Sequence, residues 1–152
     1  MSRWLITGGA GYIGSHAVRE FLEAGYDVTV LDDLSSGHRE FLHPDARFVE
    51  GSLLDNDALT TALEGVTGVV HFCGYKYAGE SVKRPMHTYE QNVTGTVRLL
   101  EACNNASVEF FVFSSSAAVY GTPDVAQVTE ETPTRPESPY GETKLIGEWL
   151  LK

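Results

Sequence analysis

A tyrosine and a lysine near the carboxyl end of the chain have the spacing of a general base and its charged partner. Tyr140 and Lys144 are four residues apart, so a helix places both side chains on one face. An ammonium group one turn from a phenol stabilises the phenolate, which can then accept a proton near neutral pH. Three hydroxyl residues, Ser114–Ser116, follow an apolar run upstream. The pattern predicts proton-transfer chemistry at this helix.

A glycine-rich segment near the amino end has a spacing that is typical of phosphate binding. Thr7–Ser15 reads TGGAGYIGS, with Gly8, Gly11 and Gly14 between a predicted strand and a predicted helix. The first glycine permits a tight turn, the second lets a pyrophosphate approach, and the third lets helix and strand pack closely. The first N–H groups of the helix then bind the phosphates. The segment predicts a dinucleotide site.

An acidic pair after the second strand indicates which dinucleotide binds. Asp32 lies 18 residues after Gly14, where a carboxylate accepts hydrogen bonds from the adenosine ribose hydroxyls. Asp33 adds a second negative charge, and a 2′-phosphate would be repelled. The pair favours NAD over NADP as the cofactor.

The elements that must position these residues alternate along the chain as in an α/β fold. Strands are predicted at Arg3–Thr7, Asp27–Leu31, Arg47–Glu50, Gly68–Cys73 and Glu109–Ser114. Helices are predicted at Tyr12–Ala24, from the N-cap Asp55 to Leu63, at Pro85–Cys103 and at Tyr140–Lys152. Gly25 is the expected end of the first helix, Asn104-Asn105 is the expected end of the third, and Thr122–Pro139 is expected to be a loop. Apolar strands separated by helices indicate a doubly wound parallel sheet.

The five strands are one fewer than a complete dinucleotide-binding sheet contains. We therefore expect a single NAD-binding domain over residues 1–152 that is truncated after the fifth strand and the following helix, without its substrate lobe. The fifth strand should then present an unpaired edge.

Charge and composition exclude several classes of function. Eleven basic and 21 acidic residues give a net charge of −10, which argues against nucleic-acid and membrane-surface binding. The absence of a long apolar run and of a signal peptide predicts a cytoplasmic protein. Cys73 and Cys103 are expected to be reduced core thiols, and His71 a core histidine. The scattered histidines predict no metal site.

In combination, these segments resemble the extended short-chain dehydrogenase/reductase family over essentially the whole chain. The segments that carry the resemblance are TGGAGYIGSH (Thr7–His16), LDDLSSG (Leu31–Gly37), HFCGYKYAGESVKRP (His71–Pro85), NVTGT (Asn92–Thr96), SSSAAVYG (Ser114–Gly121) and SPYGETK (Ser138–Lys144).

The resemblance implies an NAD-dependent isomerase that epimerises a UDP-hexose at C4, interconverting UDP-glucose and UDP-galactose through a 4-keto sugar. Lys76, Gly79–Ser81 and Ser116 followed by two alanines favour this activity within the family. Relatives that dehydrate the sugar have acids immediately after the hydroxyl residue, where this chain has Ala117 and Ala118, and without such an acid a leaving hydroxyl is not protonated. Relatives that decarboxylate the sugar have a glutamate near this point, and Ala118 argues against that activity.

The resemblance also implies site residues. Tyr140 would be the acid/base, Lys144 its partner and a ligand of the nicotinamide ribose, and Ser116 would bridge Tyr140 to the sugar. Lys76, Ser116 and Tyr140 would contact the substrate. The cofactor would be bound by Gly8, Gly11, Tyr12, Ile13, Gly14, Asp32, Asp33, Leu34, Ser35, Ser36, Gly37, Ser52, Leu53, Phe72, Cys73, Gly74, Lys76, Asn92 or its neighbour Gln91, Ser114, Tyr140 and Lys144. Ser52 stands where the family usually has an aspartate for the adenine amino group.

Three interpretations of the chain remain open. It is the cofactor-binding and catalytic portion of an epimerase, one half of a split nucleotide-sugar enzyme, or a catalytically silent NAD-binding module. The resemblance further implies a homodimer through the helices of residues 85–103 and 140–152.

Overall fold

The computed structural model describes residues 2–152, which group into two compact units. The first unit comprises the described residues up to Cys73 together with Arg98–Ser114. The second comprises Gly74–Val97 and Ser115–Lys152. The sheet and the glycine loop belong to the first unit, and the tyrosine–lysine helix belongs to the second.

Five parallel strands form one sheet within the described part of the first unit, in the order β3-β2-β1-β4-β5. They are β1 (Arg3–Thr7), β2 (Asp27–Asp32), β3 (Arg47–Glu50), β4 (Val66–His71) and β5 (Phe110–Phe113). This order confirms the doubly wound sheet that the sequence predicts. The direction of winding reverses between β1 and β4, and such a reversal marks the ligand-binding crevice of an open α/β sheet.

The helices of the described residues connect and follow these strands. They are α1 (Tyr12–Glu23), α2 (Asn56–Ala62), α3 (Ala78–Lys83), α4 (Pro85–Tyr89), α5 (Gly95–Asn105) and α6 (Pro139–Leu150). A π-helical turn, Glu90–Thr94, joins α4 to α5, and short 3₁₀ turns cover Arg39–Phe41 and Ala117–Tyr120.

Alternating side chains of the strands build a core on each face of the sheet in the first unit. Leu5 of β1 packs with Leu59 of α2 and Leu99 of α5. Its neighbour Ile6 points to the other face and packs in a cluster with Val18 of α1. The period of two therefore places helices on both faces, as a parallel sheet requires.

Gly25 ends α1 as predicted. Its φ is +86°, a left-handed conformation that glycine adopts without strain. The Tyr26 N–H donates to the Phe21 carbonyl and the Gly25 N–H donates to the Leu22 carbonyl, at 3.0 and 2.9 Å. These two bonds form a Schellman cap.

The helix end expected at Asn104-Asn105 lies at Asn105, two residues beyond the predicted bound at Cys103. The same capping arrangement follows α5 with Ser107 in the left-handed position, at φ +56°. The Val108 N–H donates to the Cys103 carbonyl at 3.0 Å. Serine at that position gives no glycine signal, so the sequence pattern placed the end too early.

Several other elements differ from the prediction, most of them by one or two residues at an end. The fourth strand is Val66–His71 rather than Gly68–Cys73, because the chain already leaves the β4–β5 ladder at Phe72. The long helix predicted at Pro85–Cys103 contains the π-helical turn. Helix α3 was not predicted, since its six residues include Gly79 and its N-cap residue makes no side-chain bond.

The burial of β5 and of the candidate core residues agrees with most expectations. In the described residues β5 pairs only with β4, and Phe110 and Val112 are more than half exposed. His71 and Cys103 are buried, and burial raises the pKa of the Cys103 thiol to about 12. Cys73 is half-buried and packs against the core cluster that contains Leu5, so it lies at the edge of the core.

Candidate functional site

The loop between β1 and α1 contains glycines that approach other backbone atoms closely. Gly8 has a φ of +74°, and a Cβ there would lie 2.9 Å from the Cys73 nitrogen. A Cβ on Gly14 would lie 2.1 Å from the Gly8 carbonyl oxygen. A side chain at either position would therefore displace backbone, and the predicted close packing of α1 on the loop depends on glycine.

The first turn of α1 offers N–H groups rather than side chains. Gly11 is the N-cap, and the first intrahelical bond runs from the Ser15 N–H to the Gly11 carbonyl at 2.9 Å. The N–H groups before Ser15 have no acceptor within the helix, and the helix dipole adds positive potential there. Tyr12 and Ile13 are 71% and 62% exposed, so this turn is open to a ligand. A pyrophosphate fits these groups.

The backbone of the loop holds the Asp32 carboxylate at the end of β2. Oδ2 accepts the Ala10 N–H at 3.0 Å, and Oδ1 accepts the Leu34 N–H at 2.9 Å. Asp32 is buried, yet a carboxylate has about four acceptor positions, so capacity remains for ribose hydroxyls. The bond between Asp32 and the Ala10 N–H was not predicted from the sequence, because an alanine side chain does not indicate what its backbone N–H binds.

The turn after Asp32 is fixed by its own side chains. Asp33 Oδ1 accepts the Ser35 N–H at 2.9 Å and the Ser35 hydroxyl at 2.6 Å. A Cβ on Gly37 would lie 2.9 Å from Asp32 Oδ1, so the turn closes on that carboxylate only with glycine. Ser36 is exposed. The predicted adenosine-binding residues thus form one ordered turn.

The residues after β3 are oriented mainly inward. The Ser52 hydroxyl accepts the Leu54 N–H at 3.2 Å. Leu53 is 6% exposed and belongs to the core cluster beside β2. The side chain of Leu53 therefore contributes to packing, and an adenine contact by Ser52 stays a prediction.

Thr7, which the sequence analysis did not single out, links the ends of β1 and β4. Its Oγ1 lies 2.7 Å from Nδ1 of the buried His71 and accepts the Cys73 N–H at 3.3 Å. Phe72 and Cys73 follow β4 directly and are half-buried. Ser114 follows β5 and donates its N–H to the His71 carbonyl at 3.1 Å. The predicted cofactor residues of the first unit therefore lie along the carboxyl edge of its sheet.

In the second unit, α6 carries the predicted acid/base pair. Ser138 caps the helix by accepting the Gly141 N–H at 3.1 Å, and Pro139 occupies the first turn. Lys144 Nζ lies 5.9 Å from the ring centroid of Tyr140, within cation–π range. Lys144 is 7% exposed, and Tyr140 is half-buried. The two residues share a face of the helix as their spacing predicts.

Ser116 and Lys76 are the other predicted substrate ligands of this unit. Ser116 caps the 3₁₀ turn that follows it, and its Oγ accepts the Ala118 N–H at 3.2 Å. The hydroxyl proton is not used in that bond. Lys76 is exposed, with Nζ 5.7 Å from the Tyr77 ring centroid.

Asn92 lies in the π-helical turn, and its amide is already bonded within the second unit. Oδ1 accepts the Tyr75 N–H at 2.6 Å, and Nδ2 donates to the Tyr75 carbonyl at 3.1 Å and to Thr143 Oγ1 at 3.0 Å. Gly74 permits this contact, since its Cβ would lie 3.0 Å from Oδ1. Both amide hydrogens are thus donated internally, and cofactor binding by Asn92 or the half-buried Gln91 stays a prediction.

A second contact to α6 was also missed by the sequence analysis. The Tyr89 hydroxyl of α4 donates to the Glu142 carboxylate of α6. This hydrogen bond, and to a smaller extent burial, raise the pKa of Tyr89. Glu142 lies between Tyr140 and Lys144 in the sequence, and its bond to Tyr89 joins α6 to α4. The spacing of Tyr140 and Lys144 alone does not indicate this contact.

Within residues 2–152, no three His, Cys, Asp or Glu side chains come together as metal ligands. None of the helices in this range is long and apolar enough to cross a membrane.

Known proteins match this arrangement. The model of the NAD dependent epimerase/dehydratase family matches residues 4–152. The chain belongs to this family. The match confirms the resemblance inferred from the sequence.

Several relatives of the chain in this family are named UDP-glucose 4-epimerase. UDP-glucose 4-epimerase of Lactobacillus helveticus is 49% identical over 149 residues, which are 97% of this chain and 45% of that protein. The enzyme of the same name from Corynebacterium glutamicum is 47% identical over 149 residues, also 97% of this chain and 45% of that protein. The chain thus spans about half the length of the curated relatives it matches.

Solved structures show the same fold. A crystal structure of UDP-glucose 4-epimerase superposes with a TM-score of 0.96 at 42% identity, covering 99% of this chain and 46% of that one. UDP-glucose 4-epimerase from Brucella ovis in complex with NAD gives a TM-score of 0.95 at 40% identity, covering 99% and 47%.

Proposed function

We propose that this protein epimerises a UDP-hexose at C4, interconverting UDP-glucose and UDP-galactose, with the present chain supplying the cofactor-binding and catalytic residues. The observation that carries the proposal is the pairing of Tyr140 with the buried Lys144 on α6, in a chain whose relatives are named UDP-glucose 4-epimerase. The reaction passes through a transient 4-keto sugar.

NAD is the cofactor that the first unit fits. The glycine loop and the open first turn of α1 would hold the pyrophosphate, and Asp32 would hold the adenosine ribose. The Brucella ovis relative was solved with NAD, which supports the same choice here. Bound NAD would accept a hydride from the sugar and later return it.

Side chains of the protein would transfer the proton of the sugar 4-hydroxyl. Tyr140, as the phenolate, would remove the 4-hydroxyl proton as C4 is oxidised and return it when C4 is reduced from the other face. The Lys144 ammonium would stabilise the phenolate before it takes the proton and again after it has returned the proton. Ser116 keeps a hydroxyl proton that would orient the sugar oxygen, and Lys76 is a further substrate ligand in this proposal.

The oligomeric state and the cellular location belong to the same proposal. We infer that the protein is a homodimer through the helices of residues 85–103 and 140–152 and that it works in the cytoplasm. The exposed apolar residues of α6 and its end, Trp149, Leu150 and Leu151, support an interface on that helix. Light scattering that shows a stable monomer at micromolar concentration would refute the dimer.

The test of the function is turnover of UDP-galactose by the wild-type protein and by Tyr140→Phe. We expect Tyr140→Phe to lower kcat by about 1,000-fold, since it removes the acid/base. The affinity for NAD should stay within threefold. Tyr26→Phe is the matched control, because Tyr26 is 41% exposed in the first unit and should keep full activity.

The outcomes separate the alternatives. Substantial turnover by Tyr140→Phe would contradict the role of the tyrosine, and a large loss of NAD affinity would mean that the residue is misassigned. NAD binding without any turnover, with or without a partner chain, would instead support a catalytically silent module.

A further inference from the structure

The backbone N–H of Tyr140 has an acceptor outside its own helix. Pro139 has no N–H, so the Tyr140 N–H is the first amide of α6, and the first amides of a helix have no intrahelical acceptor. This N–H donates to Ser81 Oγ at 3.1 Å. Ser81 lies on α3 and is fully buried, and its own hydroxyl proton goes to the Ala78 carbonyl at 2.6 Å. Ser81 therefore presents lone pairs to the tyrosine backbone.

The carbonyl of Tyr140 also has a side-chain partner. The Thr143 hydroxyl donates to this carbonyl at 2.7 Å, and Thr143 Oγ1 in turn accepts a hydrogen bond from Asn92 Nδ2 at 3.0 Å. Thr143 is 1% exposed and Asn92 is 7% exposed. In such a dry environment a hydrogen bond is stronger than in water, and an unpaired polar group is costly.

These bonds form two short chains that meet at the Tyr140 backbone within the second unit. One runs from Asn92 through the Thr143 hydroxyl to the Tyr140 carbonyl, and the other runs from the Tyr140 N–H through the Ser81 hydroxyl to the Ala78 carbonyl. Each hydroxyl donates once and accepts once. The usual cap of α6, Ser138, bonds to the Gly141 N–H and leaves the Tyr140 backbone to this second set of contacts. The main chain on both sides of the tyrosine is thus fixed by buried side chains.

We infer that Ser81 and Thr143 are positioning residues that fix the Tyr140 backbone and thereby aim its phenol. The inference rests on the proposed role of Tyr140 as the acid/base. Orientation errors of about 1 Å at a reacting group reduce rates by about 100-fold, whereas binding elsewhere is unaffected. The predicted signature is a loss of kcat at constant KM.

The first test compares three variants in UDP-galactose turnover. We expect Thr143→Val to lower kcat by about 30-fold with KM and NAD affinity within threefold, since the shape is kept and the hydroxyl is lost. Thr143→Ser restores the hydroxyl and should restore kcat. Thr88→Val is the matched control, because Thr88 is equally buried but its hydroxyl bonds only to the Arg84 carbonyl of its own helix region. Equal losses in Thr143→Val and Thr88→Val, or no rescue by serine, would overturn the inference.

The second test does not depend on activity. Hydrogen exchange of the Tyr140 amide, followed by NMR with labelled tyrosine, should accelerate by about tenfold or more in Ser81→Ala and remain unchanged in Thr88→Val. An unchanged rate in Ser81→Ala would overturn the inference that Ser81 fixes the Tyr140 backbone. If the wild-type protein lacks epimerase activity but Ser81→Ala still exchanges faster, the proposed function is refuted and the role of Ser81 in fixing the backbone stands.

Discussion

In the first unit, the groups that we propose to bind NAD are mostly backbone atoms. The loop after β1 contributes N–H groups, and its shape requires glycine at positions 8 and 14, where a Cβ would meet backbone atoms. In the second unit, the groups proposed for catalysis are side chains, and the Tyr140 backbone is bonded to other side chains, Ser81 and Thr143. A site made of backbone is damaged by adding atoms, whereas a site made of hydroxyl chains is damaged by removing them.

Adding a single methyl group to the glycine loop should have the largest effect. Gly14→Ala places a Cβ 2.1 Å from the Gly8 carbonyl oxygen, so α1 must move away from the loop. We expect a loss of about 3 kcal/mol of stability and of more than about 100-fold in NAD affinity. Thermal unfolding and calorimetric titration with NAD measure the two quantities.

Gly79→Ala is the matched control in the second unit. Gly79 also lies in a helix, and a Cβ there would meet nothing within 4 Å. Its stability should rise or stay unchanged, because alanine is the better helix former by about 1 kcal/mol. Equal losses of stability in Gly14→Ala and Gly79→Ala would show that the close approach of backbone atoms at Gly14 is not the cause of the effect.

The carboxylate that joins the loop to β2 should give the next largest effect. Asp32→Asn replaces one acceptor with an NH₂ group, which then faces the N–H of Ala10 or Leu34. We expect a loss of about 2 kcal/mol of stability and about tenfold in NAD affinity. Chemical unfolding and NAD titration check these values. Asp33→Asn is the control, since one oxygen makes both Asp33 bonds and asparagine can keep it; a similar loss there would implicate net charge instead.

Two helix caps of similar strength separate stability from positioning. Ser138→Ala removes the cap of α6, and Asp55→Ala removes that of α2, where Oδ1 accepts the N–H groups of Asp57 and Ala58. Each should cost about 1 kcal/mol of unfolding free energy. Only Ser138→Ala should also lower kcat, by a few-fold, because α6 carries Tyr140. Parallel unfolding curves and turnover assays measure this, and an equal drop in kcat for both would argue for a general effect of stability.

The smallest effect concerns the left-handed residue after α5. Ser107 has a φ of +56° in the position that Gly25 occupies after α1. Ser107→Gly relieves the conformational cost, partly offset by the greater entropy of unfolded glycine, so a gain of about 0.5 kcal/mol is expected. A lower melting temperature would contradict the capping assignment, and Gly25→Ser should show the opposite sign.

The comparison also explains what the sequence could predict. The glycine loop, Gly25 and the Tyr140–Lys144 pair are local signals, because backbone conformation and helix periodicity act over a few residues. Ser81 is 59 positions from Tyr140 and Asn92 is 51 positions from Thr143, so their contacts appear only when the chain is folded. The parallel sheet with helices on both faces was predictable, because apolar strands alternate with helices along the sequence. The order of the strands is seen only in the structure.

Some misses have local causes. Ser107 replaces the usual glycine, and α3 is a short helix whose N-cap residue makes no side-chain bond. Asp32 was predicted from its spacing as a ribose ligand, but its bond to Ala10 was hidden because any residue can supply an N–H. The type of a residue does not indicate what its backbone N–H will bind.

The most direct measurement is the identity and amount of nucleotide released when the freshly purified protein is denatured. The backbone-built site of the first unit predicts NAD at close to one molecule per chain by mass spectrometry, and much less from Gly14→Ala prepared in the same way. Release of NADP, or equal amounts of NAD from the wild-type protein and Gly14→Ala, would contradict the account.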